Sequence, residues 1–127
     1  MAAIVHLDTN IVIWLYSGYV QQLSDIAKQT IEANDLTISP MVVLEVSYLY
    51  EIGRLKDPAS IIMNDLYDRI GLTVDTTSFP LVVDNAVQIQ WTRDPFDRLI
   101  TAQAAVYQNT LLTKDDVILR NYSKALW

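Results

Sequence analysis

The stretch AIVHL at residues 3–7 is apolar and rich in β-branched side chains, with no alternation between core-facing and solvent-facing positions, and it stops at Asp8. That is the pattern of a strand buried on both faces of a parallel sheet. Short runs of the same kind occur at residues 36–39, 72–74 and 111–113, and a last candidate strand lies at 125–127. Helical signals fill the intervals. Residues 10–16 are apolar, with Trp14 and Tyr16, up to a break at Ser17 and Gly18. Over residues 21–33, Leu23, Ile26, Ala27, Thr30 and Ile31 repeat with a period near 3.6. Ser39 with Pro40, Asp57 with Pro58, Ser78, and Asp94 with Pro95 read as helix starts, an oxygen-bearing cap ahead of a proline in the first turn; Gly53 and Gly71 read as stops. These signals predict helices over 40–52, 58–70, 79–91 and 95–109, and a short helical turn over 117–120. Strands alternating with helices predict an α/β fold, a three-layer α/β/α sandwich around a short parallel sheet, with ligands at the carboxyl ends of the strands.

One domain spanning residues 1–127 is expected, since 51% hydrophobic content is ample for a single core. The chain has no cysteine, which excludes disulfides, thiolate metal sites and cysteine nucleophiles; a metal would have to be held by oxygen or by the one histidine. His6, inside the first strand, reads as a core or sheet-face residue. The N-terminus carries no basic leader, and no apolar run approaches the ~20 residues that span a bilayer, so a soluble cytoplasmic protein without a membrane partner is expected. A formal net charge of -6 argues against a nucleic-acid partner. The objection weakens if acids converge on bound cations, because each divalent ion inverts the local sign.

The acids fall where a ligand is expected. Asp8 follows the first strand, and Asp115 lies two residues beyond the strand ending at Thr113, which puts both on one rim of the sheet. Glu45 interrupts the apolar run 41–49, where a lone acid is costly without a partner. Asp97 occupies the first turn of the helix preceding the strand at 111–113. Each also has a plain structural reading: Asp94 and Asp97 suit a helix N-terminus, Asp8 suits a turn or a cap, and one of the adjacent Asp115 and Asp116 suits an ordinary loop. Carboxylates gathered at one rim repel one another unless they share protons or cations, and all-oxygen ligand sets suit Mg²⁺ or Mn²⁺. Such ions serve phosphodiester hydrolysis. An aspartyl-nucleophile phosphatase is disfavoured because Asn10 stands where its second acid would be. Arg93 and Arg98 flank the acidic segment and are candidate phosphate contacts, with structural ion pairing as the alternative. Trp14, Trp91 and Trp127 read as core or dimer surface rather than base-stacking platforms.

LDTNIVIWLYSG at 7–18, VVLEV at 42–46, RDPFDRLITAQA at 93–104 and LLTKDD at 111–116 together resemble the PIN-domain family, and within it the VapC-type toxins of prokaryotic toxin–antitoxin pairs. The resemblance spans the whole chain. It implies a PIN-like α/β/α fold, a Mg²⁺- or Mn²⁺-dependent endoribonuclease with RNA as substrate, inhibition by a cognate antitoxin protein, and a homodimer built on the apolar stretches 41–50 and 61–67. It assigns the catalytic metal site to Asp8, Glu45, Asp97 and Asp115, with Asp94 and Thr113 beside them; Asp116, a second acid beyond the family pattern, and Asn10 are further candidates for support. The LLT-x-D spacing favours Asp115 over Asp116. Thr101 departs from the family pattern, which has a small or aliphatic residue there. Two other readings compete: a non-catalytic acidic-pocket module that binds a basic partner segment, and a DNA-directed nuclease of the same fold.

Overall fold

A computed structural model describes residues 2–127. Five parallel strands, β1 (Ile4–Leu7), β2 (Asp35–Ile38), β3 (Thr73–Val74), β4 (Thr110–Leu112) and β5 (Ala125–Leu126), form one sheet in the order β3-β2-β1-β4-β5. The central pairing sets Val5 against Leu36 on one side and Thr110 on the other. Helices α1 (Thr9–Ser17), α2 (Asp25–Ala33), α3 (Pro40–Glu51) and α4 (Ala59–Ile70) connect the strands running outward from β1 to β3. Helices α5 (Phe79–Val87), α6 (Pro95–Ala105) and α7 (Asp116–Asn121) belong to connections running the opposite way. Right-handed crossovers therefore place α1–α4 over one face and α5–α7 over the other. Helix α1 meets α3 and α4, and α5 meets α6, while α3 and α6 also pack against each other.

The three central strands are buried as their apolar runs suggest, with Val5, Leu7, Leu36, Ile38, Leu111 and Leu112 sharing one core cluster with Ile11, Val42, Val46, Ile62, Leu66 and Ile100, whereas edge strand β3 is exposed at both residues and β5 is partly buried. His6 is buried as expected, and burial holds its imidazole below the usual pKa. A second, smaller cluster of Val82, Ala86, Ile89 and Ala102 joins α5 to α6. Among the described residues no helix is long and apolar enough to cross a membrane.

Several boundaries differ from the sequence expectation. The periodic stretch 21–33 is split: a 3₁₀ turn at Val20–Gln22 precedes α2, which starts after Ser24, whose hydroxyl accepts from the Ala27 amide at 3.0 Å. Asp57 does not cap α4. Its carboxylate accepts a hydrogen bond from the Tyr16 hydroxyl, tying the α3–α4 loop to the end of α1, and Pro58 takes the capping position with no side-chain bond. Helix α5 ends at Val87 rather than 91, since the chain turns to bury Ile89 and lead into the Asp94 cap. Helix α6 ends at Ala105 rather than 109; Gln108 sits at φ 58°, a left-handed turn that returns the chain to β4.

Candidate active site

The helices after β1 and β4 run in opposite directions across the sheet, so a crevice opens between the carboxyl ends of these neighbouring strands, the topological switch point at which α/β sheets bind ligands. Asp8 leaves β1 and Asp115 follows β4, one on each side of this crevice. The Asp8 amide donates to the Leu112 carbonyl at 3.0 Å, which continues the β1–β4 ladder into the site. One Asp8 carboxylate oxygen accepts from the Thr9 amide at 2.8 Å and caps α1; the other accepts from the Thr113 hydroxyl at 2.7 Å. The same Thr113 oxygen accepts from the Asp115 amide at 3.0 Å. Thr113 thus joins the two acids.

Glu45 projects from α3 and accepts a hydrogen bond from the Thr9 hydroxyl. Thr9 therefore touches Asp8 through its amide and Glu45 through its hydroxyl, a role sequence reading missed. Its only signal was its place beside Asp8 in the LDTN block. Asp94 caps α6, accepting from the Phe96 amide at 2.8 Å and the Asp97 amide at 3.1 Å. Asp115 caps α7 through Val117 and Ile118 at 2.8 and 3.1 Å. Asp94 is thus the helix cap its sequence suggested, whereas Asp115 is a helix cap and not an ordinary loop acid, and the charges of both act on Asp97.

Electrostatics join the acids into one group. Burial pushes the Asp97 carboxyl up to about 7, helped by the charges of Asp94, Asp8, Asp115 and Glu45. Burial also raises Asp8, against the opposing hydrogen bonds from Thr113 and Thr9 and with repulsion from Asp115 and Asp94. Glu45 is raised by burial first and by Asp8 and Asp94 after it. Asp116 is exposed in the first turn of α7 and does not act on these carboxyls, and Asn10 is exposed on α1. Arg98 donates to the Ala86 carbonyl at 3.0 Å and braces α5 against α6, whereas Arg93 is exposed.

Among the described residues the one salt bridge is Arg69–Asp65, so no Lys or Arg neutralises the site. Nor do three of its side chains already converge at metal-ligand spacing, because the carboxylates of Asp8, Asp94 and Asp115 face backbone donors and that of Glu45 faces Thr9. Asp97 accepts no hydrogen bond from any described residue. Neutral donors, raised carboxyls and no cationic partner are the chemistry of a site suited to a hard divalent cation.

A family model of the PIN domain matches residues 5–124. The chain belongs to the PIN-domain family. No curated protein sequence matches it significantly. Among solved structures, this PIN domain is similar to VapBC2 from Rickettsia felis bound to a DNA fragment from its promoter, at TM-score 0.67 and 19% identity over 92% of each chain. It is also similar to a toxin–antitoxin complex from Klebsiella pneumoniae, at TM-score 0.64 and 19% identity over 97% of this chain and 96% of that one. DNA-bound VapBC from Salmonella typhimurium matches at TM-score 0.66 and 16% identity, covering 98% of the PIN domain and 96% of its own chain. At these identities the likeness shows the fold.

Proposed function

We propose that this PIN domain is a VapC-type endoribonuclease, the toxin of a toxin–antitoxin pair, that uses Mg²⁺ or Mn²⁺ to hydrolyse RNA phosphodiester bonds. The observation that carries this reading is the set of mutually repelling carboxyls at the β1/β4 switch point with no cationic side chain to neutralise them. Asp8 and Asp97 would hold the ion directly, with Glu45 and Asp115 as direct or water-mediated ligands. A bound divalent ion supplies positive charge for the phosphate and lowers the pKa of an attacking water. The chain's own residues do the positioning. Thr113 and the Thr9 amide fix both oxygens of Asp8, the Thr9 hydroxyl orients Glu45, and the Asp94 cap sets the first turn that carries Asp97. The exposed Arg93 stands beside this turn as a phosphate contact.

Partners follow from the same surfaces. The structural neighbours are complexes with antitoxins, which supports a partner that places Arg or Lys among these acids and neutralises them in place of metal. Exposed Leu44, Tyr48 and Ile61 on α3 and α4 support a homodimer through these helices. The deciding experiment incubates purified protein with RNA and Mg²⁺ or Mn²⁺. Wild type should cut, and Asp8→Asn should stay folded and lose at least about 100-fold in rate, more than the loss usual for groups that only orient a ligand. Equal cleavage by the two proteins would sink the nuclease reading and leave an acidic module that binds a basic partner; preferential cutting of single-stranded DNA would shift the substrate.

A further inference from the structure

Lys114 lies between Thr113, which holds Asp8, and Asp115, and its ammonium lies over two aromatic rings. Its ammonium sits 5.8 Å from the Trp14 ring centroid and 5.9 Å from that of Trp127. The two indoles are 6.0 Å apart and inclined at 55°, and each is partly exposed. The Trp127 end of the chain is held to the site by the Thr113 amide, which donates to the Leu126 carbonyl at 3.0 Å. Asp8 caps the helix that carries Trp14, and exposed Asn10, one turn nearer the cap, shares the Trp14 face of that helix. An aromatic pair topped by an exposed cation therefore begins one residue from the carboxylates. Lys114 makes no salt bridge among the described residues.

We propose that Trp14, Trp127 and Lys114 form a substrate subsite that stacks a nucleobase of single-stranded RNA and contacts its phosphate beside the cleavage site. The inference rests on the ribonuclease reading above for its substrate class. Charge complementarity selects the occupant: a polyanion approaching a chain of net charge -6 needs a cation near the acids, and Lys114 offers one on a surface to which a base can stack. Both indoles pack against the core cluster, as their sequence positions suggested, and the surface they leave open is what a base would meet. The subsite makes the aromatic pair a positioning element and not part of the reacting centre.

The test titrates the indole fluorescence with a short oligouridylate in an Asp97→Asn background, which leaves RNA uncut. Saturable quenching is expected. Lys114→Gln, a change at an exposed position, should weaken binding about tenfold and lower the slope of log affinity against log salt by about 0.7, the share of one phosphate contact on a single strand. Trp127→Phe should keep most of the affinity and Trp127→Leu lose it. In the cleaving protein Lys114→Gln should raise KM and leave kcat within about twofold, since uniform binding is lost. Wild-type affinity and salt slope in Lys114→Gln would overturn the subsite, as would an effect confined to antitoxin affinity. If wild type cuts no RNA, the nuclease reading fails while quenching and salt slope still decide the subsite; cleavage with unquenched indoles overturns the subsite alone.

Discussion

Asp97 shows most directly how the site is balanced. Its carboxyl, pushed up to about 7 from 3.8, holds a proton in the folded protein at pH values where the unfolded chain has lost it. The folded state therefore binds more protons between these values, and the contribution of Asp97 to metal-free stability is full below the unfolded pKa and lost as pH rises through the folded one. The full shift corresponds to about 4 kcal/mol, reduced to about 1–2 kcal/mol because the group is only half-buried and screened by solvent. Asp97→Asn should accordingly be more stable than metal-free wild type by about that amount near pH 8, with the difference gone below about pH 4; thermal melts at both pH values check it. Thr9 is the complementary case. Thr9→Val keeps the amide bond to Asp8 but leaves Glu45 without its donor, which should cost about 1 kcal/mol of stability and about 10–100-fold in metal affinity or activity. Calorimetric metal titration reads the second effect apart from the first.

At the scale of elements, both loops that close the crevice end in aspartates that start helices. Asp94 and Asp115 each satisfy two orphan amides while their charge acts on Asp97. The two jobs can be separated. Asp94→Ala should destabilise the protein by about 0.5–2 kcal/mol through loss of the cap, whereas Asp94→Ser restores most of that, and both should draw the Asp97 carboxyl down toward its ordinary value. Urea melts together with carbon-13 NMR titration of Asp97 read the pair. If Asp94→Ser leaves the Asp97 titration unmoved, Asp94 is a cap and nothing more. Helix α3 combines functions in the same way, with Val42 and Val46 packed in the core, Glu45 facing Thr9, and Leu44 and Tyr48 left to solvent.

For the whole molecule, the acidic balance and the fold make one prediction. A ligand that binds only the folded state stabilises it by mass action, about 2.7 kcal/mol at a hundred times its Kd. Saturating Mg²⁺ or Mn²⁺ should therefore raise the wild-type Tm by about 10 °C. Asp8→Asn and Asp97→Asn should show little of this rise if these acids hold the ion as proposed. A Tm indifferent to both ions in wild type would remove the metal from the proposed function. The same melts carried out with a basic antitoxin-like peptide in place of metal ask whether one acidic group serves both partners.

What residue order alone determined here is what short-range physics controls. Buried strands announced themselves by apolar runs, helix starts by Ser39, Asp94 and their prolines, and a helix end by Gly71, which sits at φ 70° as a left-handed cap should. Glu45 stood out because an acid in an apolar run is costly wherever it folds. The joining of Asp8 to Thr113 across 105 residues was beyond local reading, because strand order, not sequence distance, makes β1 and β4 neighbours. For the same reason only the tertiary structure gave Thr9 its two partners, moved Asp57 from a helix cap to Tyr16, and brought Trp14, Lys114 and Trp127 together. Local signals decide which elements form; sheet order decides which charges must share one crevice, and so which carboxyls have their proton affinities raised.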